Sequence, residues 1–357
     1  MPAPTSKAVI RLEDGTEATA QEPVIVSASR STDIPAFYCD WFFHRLFRVG
    51  YSAWINPFNG AWSYVSYAKT RFIVFWSKNP RPLLAHLDEL RERGVGCYVQ
   101  YTLNDYEADG LERGVPQLSE RIDTFRRLSA ALGRDGVVWR FDPLLLTDKI
   151  DEECLLRKVE NLGDLLAGLT EKLVFSFADL APYRKVRANL AAAGVEAREW
   201  TAAQMAQMAA RLVELNERKG WGLALATCGE RGDYPGVAHN SCVDDALIIR
   251  RASHDKELMR FLRAEVRPMP QPDLFGHVEP LPPDAIVLGD GTFATRGNNR
   301  DTGQRELCGC AKSKDIGQYD TCTHQCAYCY ANTSVRAARA NFERHMAAPW
   351  GETITGR

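Results

Sequence analysis

The chain has 357 residues, 45% apolar and 25% charged, with a formal charge of -2 at pH 7. Those proportions belong to a globular protein of one large or two ordinary domains and exclude a disordered or fibrous chain. The near-neutral charge gives no general drive toward nucleic acid or anionic membranes; a local nucleic-acid contact is neither implied nor ruled out.

Residues 1–23 lack an apolar signal core and read as a polar lead-in, and no run of about 18 apolar residues exists to span a bilayer. A cytoplasmic protein without a membrane partner is expected, with its thiols reduced. From Val24 onward, short β-rich apolar runs alternate with helical patterns, the rhythm of βα units around a parallel sheet. The predicted strands are Val24–Ala28, Tyr51–Ile55, Phe72–Trp76, Cys97–Thr102, Val137–Phe141, Leu173–Phe177 and Leu223–Thr227. Their near-continuous apolar character fits strands buried on both faces.

Between them, Pro82–Arg93 aligns Leu83, Leu84, Leu87 and Leu90 on one helical face, with Gly94 as the stop. Pro116 opens a second helix, which buries Ile122, Phe125, Leu128 and Leu132 and ends at Gly133. Thr201 caps a third, burying Met205, Met208, Leu212 and Leu215 before Gly220. These stripes are helix core and carry no chemistry.

The seven strands and a short eighth near Ile316–Tyr319 count to a (β/α) barrel, whose last helix runs from Ala331 to Arg344. Barrel units then occupy 24–267, a Pro/Gly-rich connector or insert 268–307, and a cysteine-rich segment completing the barrel 308–357. In such a fold the loops after the strand ends build the site. Those loops hold Ser29, Arg30, Asp33, Asn56, Ser77, Lys78, Asn79, Asn104, Asp105, Arg140, Asp142, Asp179 and Glu230. Arg140 and Asp142 flank one apolar residue, so alternation sends both side chains to one face, as an active pair or as an interior ion pair.

Five of the ten cysteines crowd between Cys308 and Cys329, which in a reducing compartment points to metal rather than disulfides. Cys322, Cys326 and Cys329, spaced C-x3-C-x2-C, can grip three irons of a [4Fe–4S] cluster and leave a fourth iron open. Cys308-Gly-Cys310, with Cys228 and Cys242, can complete a second four-thiolate site, either another [4Fe–4S] cluster or zinc. Cys39, Cys97 and Cys154 read as buried, inert thiols. His324 is expected to point to solvent or to cap backbone groups rather than to bind metal.

The run Cys322-Thr-His-Gln-Cys326-Ala-Tyr328-Cys329 resembles the cluster loop of the radical SAM superfamily. It is joined by Ser-Ala-Ser29-Arg30-Ser-Thr-Asp33-Ile-Pro35, Val74-Phe-Trp-Ser-Lys78-Asn79-Pro80 and Trp139-Arg140-Phe-Asp142-Pro143. Together these resemble a bacterial and archaeal domain-of-unknown-function family with its cysteine cluster at the C-terminus. The superfamily resemblance implies a barrel of radical SAM type, circularly permuted so that the cluster-bearing unit comes last. It implies S-adenosylmethionine as cofactor, with Tyr328 packed near the cluster, and an electron donor such as flavodoxin or ferredoxin. The superfamily's glycine-rich acidic motif has no counterpart in the Ser29-Arg30 loop. The candidate cofactor contacts are therefore Ser29, Arg30, Lys78 and Asn79, chosen as donors for a carboxylate. Arg140, Asp142 and Glu230 are the candidates for substrate or adenosine contacts. Two other classes compete: a non-catalytic zinc protein with a C-terminal cysteine ribbon, and an iron–sulfur electron-transfer protein.

Overall fold

The computed structural model describes residues 6–56, 59–275 and 277–356. The polar lead-in is a correction: it forms a hairpin of β1 (Ser6–Arg11) and β2 (Glu17–Glu22), paired antiparallel. Alternating burial along β1 is the reason, since every second residue turns toward the protein. After β3 (Ile25–Ala28) come two short helices, α1 (Ile34–Phe37) and α2 (Cys39–His44). Next, β4 (Tyr51–Ile55) and β5 (Trp62–Ser66) pair antiparallel, giving a four-stranded sheet in the order β1-β2-β5-β4.

Tyr51–Ile55 is therefore not the expected second barrel strand. Only residues 56–61 separate it from β5, and a parallel return needs a crossover of about a dozen residues or more. Such a short link forces an antiparallel partner. Asn56 leaves the rim with it.

The central sheet takes the other six predicted strands. They are β3, β6 (Phe72–Ser77), β7 (Gly96–Thr102), β8 (Val137–Leu144), β10 (Lys172–Phe177) and β12 (Ala224–Thr227). Between β8 and β12, the two-residue strands β9 (Leu146–Thr147) and β11 (Ala197–Arg198) make a separate antiparallel pair. Two more short strands extend the central sheet, β13 (Ala238–His239) and, far along the chain, β17 (Lys314–Asp315). The order is β13-β12-β10-β8-β7-β6-β3-β17, and every pairing is parallel. This is an α/β fold around an eight-stranded parallel sheet with two ends, β13 and β17. The eighth strand lies just ahead of the predicted Ile316–Tyr319 and pairs with β3.

One face of that sheet is covered by α3 (Leu87–Glu92), α4 (Leu118–Leu132), α5 (Glu152–Leu166), α6 (Arg184–Ala192) and α7 (Ala202–Lys219). Val99, Tyr101, Trp139, Phe141, Leu173 and Phe175 pack there against Leu128, Leu162 and Leu212. The ends of α7 follow the sequence closely: Thr201 and Gln204 close a capping box, and Gly220 turns left-handed at φ 62°. The helix after Pro116 starts two residues later than expected, at Leu118.

The opposite face carries Tyr98, Val138, Val174 and Ala226, one residue out of phase. It is covered by α8 (Asp245–Ala252), α9 (Lys256–Phe261) and a small antiparallel sheet of β14 (Glu265–Pro268), β15 (Ile286–Val287) and β16 (Thr292–Thr295). The Pro/Gly-rich stretch thus contributes two strands and buries Leu288 and Ala294 against the central sheet. Continuing this face toward the C-terminal strand ends, alternation brings Gln100, Arg140, Asp142, Ser176 and Cys228. The last helix, α10, is Val335–Ala347, started by Ser334, whose hydroxyl accepts the Ala337 N–H at 3.1 Å. No helix among the described residues is long and apolar enough to cross a membrane.

Candidate functional site

β17 feeds directly into the Cys322–Cys329 loop, and the loop is held from several sides. Thr321 Oγ1 is 2.7 Å from Thr32 Oγ1, and the Tyr38 hydroxyl donates to Thr321 O at 2.6 Å. Asn332 Nδ2 donates to Cys322 O at 2.6 Å, and Asn189 Nδ2 to Cys329 O at 3.0 Å. Across the loop, Ala327 N–H donates to Leu111 O at 2.9 Å and Gly114 N–H to His324 O at 2.8 Å. A side chain at 114 has no space, because its Cβ would lie 2.7 Å from Thr323 O and 2.8 Å from His324 O. All three thiols are half-buried. Burial pushes each of them up, and at Cys326 the charges of Glu112, Cys329 and Cys322 add to it against the pull of Lys78.

The loop abuts the C-terminal ends of β6 and β7 through Tyr328. Lys78, just past β6, lies with Nζ 2.9 Å from the Tyr328 hydroxyl and 2.6 Å from Glu112 Oε1. Asn104, just past β7, donates to the same hydroxyl at 3.0 Å. The Tyr328 hydroxyl donates to Glu112 Oε1, and Arg121 NH1 sits 3.5 Å from Glu112 Oε2. Glu112 has no exposed side-chain surface. Burial raises its pKa, but Lys78 and Arg121 outweigh that and hold it below the ordinary glutamate value. Lys78 is the mirror case: burial lowers it, while Glu112 and then Cys326 raise it above the ordinary lysine value. A fixed cation therefore stands beside Cys326.

Of the two expectations for His324, contact with backbone holds and exposure to solvent does not. It is buried at 2% exposure, with Nε2 2.7 Å from Asp33 Oδ2 and Nδ1 3.2 Å from Gly114 O. Solvent cannot reach it because Phe37 lies across its ring at 4.6 Å between centroids. Asp33 in turn accepts from Ala36 N, Ser77 Oγ and Lys78 N. Burial raises the Asp33 carboxyl, but His324 and these donors bring it below the ordinary aspartate value.

The second cysteine group also comes together. Cys228 Sγ is 3.3 Å from Cys242 Sγ, and Cys310 Sγ accepts the N–H of Val243, the residue after Cys242, at 3.3 Å. The Cys310 contact and the pull of Arg30 help bring Cys308 down to about 6. Arg140 NH1 donates to Cys242 Sγ at 3.2 Å and to Gln100 Oε1 at 3.2 Å. The Arg30 guanidinium lies over the Trp76 ring at 5.3 Å, and its charge faces Cys310, Cys242 and Cys308. Among the described residues, no three or more His, Cys, Asp or Glu side chains are placed as a preformed metal cage. In the second group, Cys228 and Cys242 touch each other instead.

Arg140 and Asp142 do share a face and are ion-paired, with Ser176 donating to the other carboxylate oxygen and the Asp142 N–H donating to Asn104 Oδ1 at 2.9 Å. Glu230 accepts the Phe177 N–H at 3.0 Å; burial, with Asp142 and Asp179 nearby, raises its pKa. Ser29 is buried against Gly317, its hydroxyl accepting the Ser31 N–H at 3.1 Å. Asn79 is half-buried, its N–H on Ser77 Oγ at 2.9 Å. So Lys78 and Tyr328 meet at the first cysteine group and Arg30 and Arg140 at the second, while Ser29 and Asn79 belong to neither network. Glu112 and Arg121 escaped the sequence reading. They lie off the strand ends, and Gly114, a glycine demanded by close approach, was the one local signal.

A family model described as a domain of unknown function, DUF1848, matches residues 25–331. No curated protein matches the chain, and no solved structure does.

Proposed function

The chain belongs to the DUF1848 family, and from that premise we propose that it is a radical SAM enzyme. Its sheet would be a permuted, open version of the superfamily's barrel, with 24–267 and 308–357 supplying the βα units. One observation carries the reading: the C-x3-C-x2-C loop follows an edge strand of a parallel sheet and packs, through Tyr328, on the polar ends of β6 and β7. Sites in parallel α/β folds form at those ends.

The loop offers the kind of donors such a cluster takes. Cys322, Cys326 and Cys329 would hold three irons, because they are three half-buried thiols on one loop within reach of one another's charge. When bound, a [4Fe–4S] cluster of this kind supplies an electron that splits S-adenosylmethionine, giving a 5′-deoxyadenosyl radical that takes hydrogen from substrate. Lys78 keeps its positive charge beside Cys326 and offsets the charge of the thiolates. Glu112 and Tyr328 fix the Lys78 ammonium in place. Arg30, with one buried guanidinium nitrogen unpartnered among the described residues, is the stronger candidate of the remaining cations for a carboxylate. Asp142, oriented by Arg140, Ser176 and Asn104, and Glu230, which holds its proton more firmly than an ordinary glutamate, provide polar contacts for substrate. A flavodoxin or ferredoxin would deliver the electron.

Anaerobic reconstitution tests this. The protein should take up iron and sulfide, and with a reductant it should release 5′-deoxyadenosine from S-adenosylmethionine. Cys326→Ala should stop that release. A colourless protein carrying zinc alone, or a Cys326→Ala variant that still forms 5′-deoxyadenosine, sinks the proposal.

A further inference from the structure

We infer that Cys228, Cys242, Cys308 and Cys310 form a separate four-thiolate site for one zinc-type divalent ion, which clamps the segment ahead of β17 onto the central sheet. The sulfur spacing argues for a single ion. Zinc–sulfur bonds of about 2.3 Å place the corners of a tetrahedron about 3.8 Å apart. Cys228 and Cys242 already stand at 3.3 Å, and Cys310 is held beside Cys242 by the Val243 N–H on its sulfur at 3.3 Å, with Cys308 two residues away. One ion at the centre would replace the Cys228–Cys242 contact with a small outward shift of those two sulfurs. A four-iron cluster needs a separate iron at each thiolate and a wider spread of sulfurs.

The surroundings are those of bound thiolates. Cys242 Sγ receives Arg140 NH1 at 3.2 Å and Asn240 Nδ2 at 3.4 Å, and Cys310 Sγ receives the Val243 N–H at 3.3 Å. Donors of this kind orient metal ligands. Four thiolates around a divalent ion carry a net charge of two minus, and two guanidiniums, Arg30 and Arg140, face them. The backbone is fixed as well: Cys242 O accepts from Tyr98 Oη at 2.7 Å and Gln100 Nε2 at 2.9 Å. Gly309 lets the Cys308–Cys310 turn come close, since a Cβ there would lie 2.5 Å from Ser241 Oγ.

Four protein ligands leave no open coordination position, so the site is structural rather than catalytic. Its ligands come from three stretches: the end of β12, the approach to α8, and the run that reaches β17 after residues 311–313. The ion therefore ties the end of the chain that carries the Cys322–Cys329 loop to the middle of the sheet. This inference shares no ligand with the radical SAM reading.

The test uses the full chain with Cys322, Cys326 and Cys329 all changed to Ala, which removes the first group. Elemental analysis should find one zinc per chain, and cobalt exchange should give the intense thiolate-to-cobalt absorption of a tetrahedral site. Adding Cys310→Ser should abolish that absorption. Because that variant can misfold, Asn240→Ala, which keeps all four ligands, should weaken zinc binding about tenfold. Iron with sulfide in the triple variant, or a chain without bound divalent metal, overturns the proposal. Failure of the radical SAM reading would look different: no 5′-deoxyadenosine from the unaltered protein, with zinc still present.

Discussion

Lys78 Nζ stands 2.6 Å from Glu112 Oε1, and the same carboxylate oxygen takes the hydroxyl of Tyr328. The pair is nearly dry: the Lys78 side chain is 15% exposed and that of Glu112 0%. Breaking such a pair from one side leaves a buried carboxylate with Arg121 at 3.5 Å and the neutral donors Tyr328 and Asn104 to answer it. Lys78→Met should cost about 3–5 kcal/mol in urea unfolding. Adding Glu112→Gln should recover at least about 1 kcal/mol of that loss, since the orphaned charge is gone. A double variant as unstable as the sum of the singles would show that the two side chains are not coupled.

Gly114 sits where the Leu111–Gly114 segment meets the cysteine loop, with two backbone carbonyls under 3 Å from any added Cβ. Backbone gives way poorly, so Gly114→Ala should destabilise by about 1–3 kcal/mol and lower iron retention after reconstitution. Gly289, where a Cβ meets nothing within 4 Å, is the control. Its alanine variant should stay within about 0.5 kcal/mol of the unaltered protein.

His324→Gln separates anchor from ligand. The side chain spends both ring nitrogens, one on Asp33 and one on Gly114 O. Iron content per chain should be unchanged, while stability falls by about 3 kcal/mol because Asp33 loses its buried partner. Iron stripped to the level of Cys326→Ala would mean that the histidine binds metal.

Asp255 links acid stability to the N-terminal end of β6. Its carboxylate caps α9 through the Glu257 and Leu258 N–H groups and pairs with Arg71 Nε at 2.7 Å. Burial raises its pKa, but Arg71 and the cap bonds bring it below the usual 3.8. A carboxyl depressed in the folded state stabilises above the unfolded pKa, and that gain fades as pH falls through the folded value. Asp255→Asn keeps a capping side chain and loses the charge. It should be about 1–2 kcal/mol less stable at pH 7, with the difference starting to fade near pH 3.8 and gone once pH has fallen through the lower folded value. A gap that persists in acid would place the effect in packing.

Local patterns carried much of this fold. Six apolar runs became neighbouring parallel strands because a strand buried on both faces leaves an unbroken apolar signature. Thr201 and Gly220 marked their helix ends because caps act within one turn. Tyr51–Ile55 misled because its apolar run looks the same in either sheet; only the short link to β5 tells them apart. β13 and β17, two residues each, are too short for any periodicity. The nearness of Cys228 and Cys242 was legible from the place of Cys228 at a strand end and of Cys242 in the loop after it. Glu112 was not, because its partners Lys78 and Tyr328 lie 34 and 216 residues away and meet it only in the fold.

Ser27 Oγ donates to Asp315 Oδ2 at 2.8 Å across a sequence separation of 288 residues, where β3 meets β17. On a ribosome, β3 is made some 288 residues ahead of its partner, and its outer edge stays bare until β17 emerges. Loop-closure entropy slows such long-range pairing, and an unpaired strand edge invites association with other chains. A nascent chain stopped before residue 314 would thus display a sticky parallel edge, the state in which a chaperone has the most to shield.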